Sequence, residues 1–144
     1  PCYAALVVRR RKDNFNIGIE IQGSNAVVDV YTHHNGRYGM TTNSGAVGVV
    51  VEDSEIAFNN TRQLPTDDDA GGTKFSGGTD CMVVRNNYVH DNLGGTGIWA
   101  DTVNNGFHIS GNYFSDHYGS GIWDEIIKQF RVSSELQSKA TLHV

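Results

Sequence analysis

The sequence predicts an all-β chain wound as a parallel β-solenoid of about four to five stacked coils, and three observations predict it. A Gly followed by a short strand-like run recurs five times. A second strand follows the middle three copies at a constant distance. Gly and Asn punctuate these runs throughout, whereas only 2 prolines occur in 144 residues.

The recurring unit reads Gly18-Ile19-Glu20-Ile21, Gly39-Met40-Thr41-Thr42, Gly72-Thr73-Lys74-Phe75, Gly97-Ile98-Trp99-Ala100 and Gly121-Ile122-Trp123-Asp124, at spacings of 21, 33, 25 and 24 residues. Alternation along each run sends every second side chain inward. From Gly39 to Val51, Gly72 to Val84 and Gly97 to Ile109 the distance is 12 residues each time. The chain then passes through matching positions: Ser54, Ile56 and Asn59; Asn87, Val89 and Asn92; Asn112, Phe114 and His117. One such coil cannot bury its inner face alone, so its neighbours must stack on it. Ser54, Asn87 and Asn112 then share a column, read as corners, because Asn tolerates left-handed backbone and stacked amides can bond along the column.

The long spacing is explained by an insertion from Asn60 to Gly71, which carries Pro65, has no apolar period and reads as a loop leaving a corner. Its run Asp67-Asp68-Asp69 is a candidate set of Ca²⁺ ligands, since that ion prefers carboxylate oxygens. Asn59-Asn60-Thr61 has the form of a glycosylation sequon. The whole of 1–144 is read as one domain, with repeats over about 15–126 and with 1–14 and 127–144 as atypical ends or caps.

Composition narrows the function classes. The net charge of −5 offers no basic footprint for nucleic acid, and Arg9-Arg10-Arg11-Lys12 is followed at once by Asp13, as in a solvated segment. No apolar run approaches the ~18 residues of a membrane span. The two cysteines, Cys2 and Cys81, lack zinc-ligand spacing and leave one disulfide open. The chain begins with Pro rather than Met, which points to a processed product or a piece of something longer.

The segments Gly71-Gly72-Thr73-Lys74-Phe75, Val83-Val84-Arg85-Asn86-Asn87-Tyr88-Val89-His90-Asp91-Asn92, Gly97-Ile98-Trp99-Ala100-Asp101 and Gly121-Ile122-Trp123-Asp124-Glu125 carry a resemblance. They are similar to the right-handed parallel β-helix repeat proteins of the pectate-lyase-like superfamily, widespread among secreted bacterial proteins. The resemblance implies the fold, an extracellular or secreted setting and a polysaccharide partner. It implies a polysaccharide lyase or glycoside hydrolase if the chain is an enzyme, and otherwise a structural or adhesive solenoid within a larger secreted protein. No GHG or NTD triplet occurs, and no RxK triplet is expected on a strand, so no family catalytic residues carry over.

Register singles out one face. Ile98 and Ala100 point inward, so Lys74, Trp99 and Trp123 should form an outward ladder with Asp101 and Glu125 beside it. Aromatic rings flanked by acids and a Lys make a sugar platform, because ring faces pack on pyranose C–H groups while carboxylates accept from hydroxyls. Asp101 and Glu125, one coil apart, would approach the ~5–5.5 Å separation of a retaining glycosidase pair. They are the candidate catalytic residues. Strict alternation would turn Asp124 inward, which places the end of that strand in question. A second cluster gathers at a corner, where His33 aligns with His90, and His34 with Asp91 and Asp116. His90 and Asp91 join the substrate-binding set, and with His117 they could hold a cation or act as a base.

Overall fold

The computed structural model describes residues 4–6, 10–65, 70–77, 80–101, 105–125, 130–132 and 142–143. All regular structure among them is β, and no helix there is long and apolar enough to cross a membrane. Three strands make each coil. The first coil holds β1 (Ala4–Leu6), β2 (Arg10–Lys12) and β3 (Ile17–Ile21); the second holds β4 (Asn25–Val28), β5 (Tyr31–His33) and β6 (Tyr38–Thr42). The third is β7 (Val50–Glu52), β8 (Glu55–Ala57) and β9 (Gly71–Phe75), and the fourth β10 (Val83–Arg85), β11 (Tyr88–His90) and β12 (Thr96–Ala100). Then come β13 (Phe107–Ser110), β14 (Tyr113–Ser115), β15 (Ile122–Asp124), β16 (Phe130–Val132) and β17 (Leu142–His143).

Like strands of successive coils pair in parallel and form three sheets. Two are six-stranded, β1-β4-β7-β10-β13-β16 and β17-β15-β12-β9-β6-β3; the third is five-stranded, β14-β11-β8-β5-β2. Val51, Val84 and Ile109 pair as read from their common spacing. β1 and β2 lie within 1–14, and β16 and β17 within 127–144, stretches in which the sequence shows no repeat; their strands extend the same sheets.

The inner columns fill the lumen. Val27, Val51, Val84 and Ile109 come from the first sheet; Ile56, Val89 and Phe114 from the second; Ile19, Met40, Ile98 and Ile122 from the third. Each side chain removed fully from water contributes about 1.5–3 kcal/mol, which one coil alone could not collect.

Two amide ladders cross this core at the corners. Asn112 Oδ1 accepts from the backbone N and Nδ2 of Asn87 (both 2.9 Å), Asn87 Oδ1 from the Ser54 backbone (3.0 Å), and Ser54 Oγ from the Val30 backbone (3.1 Å). At the next corner Asn14, Asn35, Asn59 and Asn92 link Nδ2 to Oδ1 at 2.8–3.0 Å. In one respect the corners differ from expectation. The left-handed residue is not the ladder Asn but the one before it: Asp53, Asn86 and Gly111 at one corner; Asp13, His34, Phe58, Asp91 and Asp116 at the other. That twist leaves the following Asn pointing inward, where buried backbone donors need its oxygen. The same ladder explains a glycine column. A Cβ on Gly39, Gly72 or Gly97 would come within 3.0 Å of the side chain of Asn59, Asn92 or His117 respectively.

Asn59 is wholly buried in this ladder, so the sequon it heads presents no accessible amide in the folded chain. The inserted loop leaves after β8 as expected, anchored by Asn60, whose side chain donates to and accepts from Leu64 (2.8 and 2.9 Å).

Candidate functional site

The sheet containing β12 and β15 builds the tryptophan ladder that register predicts. Trp99 pairs with Trp123 on one side and Lys74 on the other. The two indoles stack at 4.7 Å with planes 4° apart, and the Lys74 ammonium sits 3.9 Å over the Trp99 ring. Lys74 Nζ reaches Asp101 Oδ2 at 2.9 Å, and Trp99 Nε1 donates to Glu125 Oε2 at 3.1 Å. All five predicted residues are therefore together. Yet Trp99 is only 5% exposed, because Lys74 covers one ring face and Trp123 the other. A sugar has no free Trp99 face on which to stack. Asp124 stays in strand β15 opposite core-facing Ala100; burial raises its carboxyl above the usual range, and its Oδ1 has no partner.

A second aromatic ladder runs up the five-stranded sheet. Its outward positions stack Tyr31, Glu55, Tyr88 and Tyr113 in one column and His33, Ala57, His90 and Ser115 in the next. In both Tyr-x-His strands the phenol lies flat on the imidazole, at 4.0 Å and 22° for Tyr31–His33 and 3.9 Å and 21° for Tyr88–His90. Tyr88 and Tyr113 follow one another at 5.2 Å and remain 40% and 41% exposed. Here the rings stay open.

Histidine chemistry differs between the coils. Burial first, and then the Arg10 guanidinium, lower His33 below its ordinary value. Its Nε2 accepts from Arg10 Nε at 2.9 Å, which leaves Nδ1 to donate to His34 Nδ1 at 2.7 Å. His90 instead lies between carboxylates, with Nδ1 2.7 Å from Asp91 Oδ2 and Nε2 3.1 Å from Glu55 Oε1. Both predicted residues, His90 and Asp91, thus sit on this face rather than on the tryptophan ladder.

Grooves open at both ends of these three-residue strands. One, about 880 Å³, is lined by Phe58, Leu64, Asp91, Asp116, His117 and Tyr118, among others. The other, about 630 Å³, lies against Asp29, Tyr31, Asp53, Glu55 and Tyr88. His117 occupies the position that Asn takes in earlier coils. Both of its ring nitrogens are buried without hydrogen-bond partners, and desolvation lowers it to about 4.

Other sequence readings fall elsewhere. Asp67, Asp68 and Asp69 lie outside the described residues; among those described, no group of three or more His, Cys, Asp or Glu side chains is arranged to hold a metal. Arg10-Arg11-Lys12, an RxK triplet, does lie on a strand, β2, contrary to expectation. Its ends are engaged, Arg10 with His33 and Lys12 with Asp13 at 2.7 Å.

The tyrosine ladder and Glu55 were not singled out from the sequence. The signal was present, since Tyr88 and Tyr113 each precede an inward residue, Val89 and Phe114, by one position.

The family model described as right handed beta helix region matches residues 7–126 of the chain. No curated protein and no solved structure matches it significantly.

Proposed function

We propose that this chain, a member of the right-handed β-helix family, binds an extended extracellular polysaccharide along the Tyr88–Tyr113 face and the grooves beside it. One observation carries the reading: two phenol rings a coil apart, 5.2 Å between centroids and tilted by 53°, remain 40% and 41% exposed on a parallel sheet, with exposed Tyr118 at the adjoining groove. An open ring face offers apolar contact to the C–H face of a pyranose, and a ladder repeats that contact once per coil. Carboxylates at the groove edges accept from sugar hydroxyls, the pattern of a few placed polar groups around an apolar platform.

Binding is favoured over cleavage by the state of the candidate acids. Asp101 is tied to Lys74 and Glu125 to the Trp99 indole, so catalysis by either would first break a bond that closes the tryptophan ladder.

Calorimetric titration with neutral and charged oligosaccharides tests the reading. The wild-type chain should bind at least one class, and the Tyr88→Ala/Tyr113→Ala double variant should lose about tenfold or more in affinity, equal to ~1.4 kcal/mol. Binding that survives unchanged in the double variant would place the ligand elsewhere.

A further inference from the structure

Resting on that reading, we infer that the polysaccharide bound along the tyrosine ladder carries protonated amines, as a partly N-deacetylated hexosamine polymer does, and is not a uronate polymer. The argument is the charge of the walls. The two grooves contribute Asp29, Asp53, Glu55, Asp91 and Asp116, and neither is lined by a Lys or an Arg. His90 engages Glu55 and Asp91. Asp29, Asp53 and Asp116 are exposed at left-handed corners and have no cation partner among the described residues.

The nearby cations are occupied or distant. Arg85 holds Glu52 at 2.5 Å, and Arg62 lies 4.5 Å over the Phe15 ring. Arg10, which pairs with Tyr31 beside one groove, is bonded to His33, and Lys12 holds Asp13. His117, lowered to about 4, adds no charge near neutral pH. Rings and carboxylates therefore act together. An ammonium over a Tyr face gains about 0.5–1 kcal/mol at an exposed site, and the acids along both sides of the ladder add attraction that salt screens. A uronate would set its own carboxylates against the same walls, where like charges repel.

The test compares short oligomers of glucosamine, N-acetylglucosamine and galacturonate by calorimetry. Short oligomers limit the general attraction of a polycation for a chain of net charge −5. The glucosamine oligomer should bind about tenfold or more tighter than its acetylated form. Raising NaCl from about 20 to about 300 mM should erase most of that difference. Asp53→Asn/Asp116→Asn should lower affinity for the amine oligomer by a much larger factor than affinity for the acetylated one, so that the two values converge. Glu20→Gln, on another sheet, should change neither. Equal or tighter binding of the acetylated or uronate oligomer overturns the inference and leaves the polysaccharide reading standing. An amine preference that persists in the Asp53/Asp116 variant overturns the assignment to these grooves. Failure of all three oligomers to bind overturns both readings.

Discussion

The two aromatic ladders are built by one device and end in opposite states. Parallel in-register coils set equivalent side chains about 4.8 Å apart, which is stacking distance for rings. On the β12–β15 sheet, Lys74 lies one coil before Trp99 and Trp123 one coil after, so the column closes around Trp99. On the five-stranded sheet, Glu55 interrupts the tyrosine column and Ala57 the histidine column, and neither can cap a ring as Lys74 does. The strands there are also only three residues long, and the left-handed corners that follow leave grooves at the rims. Sharing a column makes two side chains neighbours; the intervening residue decides whether their faces stay open.

Breaking the closed ladder should give the largest effect. Trp99→Ala removes a buried indole, its stack with Trp123 and its contact with the Lys74 ammonium, and should cost about 3–5 kcal/mol in urea denaturation. Oligosaccharide affinity of the folded fraction should not change. A drop in affinity with little loss of stability would reverse the roles assigned to the two faces.

The end of the Asn ladder gives the next largest. His117 falls from 6.5 to about 4 in the folded chain, so the fold favours its neutral form. The stability tied to that preference is present above about pH 6.5 and is lost as pH falls toward 4; a shift of this size is worth about 3 kcal/mol at most. His117→Asn should restore the amide that Asn14, Asn35, Asn59 and Asn92 supply in earlier coils and flatten the pH dependence. Urea midpoints of both proteins at pH 7 and pH 4 separate this from the general acid lability of carboxylates, which both share. Parallel pH profiles would remove His117 as the cause.

These comparisons also mark what the sequence could convey. The inward columns were legible because period-two apolar runs and constant spacings survive in the letters: Val51, Val84 and Ile109 pair as read, and Lys74, Trp99 and Trp123 share their column. The strand β2 was not legible, since Arg10-Arg11-Lys12 is exposed at every position and carries no alternation; only pairing with β5 sets its place. The corner assignment slipped by one residue because Asp53-Ser54, Asn86-Asn87 and Gly111-Asn112 each offer two turn formers in a row, and composition does not say which takes the left-handed backbone. Exposure of the rings was illegible for a different reason. It depends on which side chain the adjoining coil places against each face, and Trp99 and Tyr88 are given opposite neighbours.

The smallest effect sharpens the comparison most. Tyr88→Phe keeps the ring, its stack on His90 and its contact with Tyr113, and deletes only the hydroxyl that lies 3.3 Å from Ser115 Oγ. If the open face works as an apolar platform, this change should cost less than about 1 kcal/mol in binding, the scale of one hydrogen bond, whereas Tyr88→Ala should cost more. Thermal melting should hardly move, because the hydroxyl is at the rim of a ring 40% exposed. Calorimetry on the two single variants checks it. Equal losses for Phe and Ala would shift recognition from the ring face to the hydroxyl, and the open ladder would then matter for where it places an oxygen.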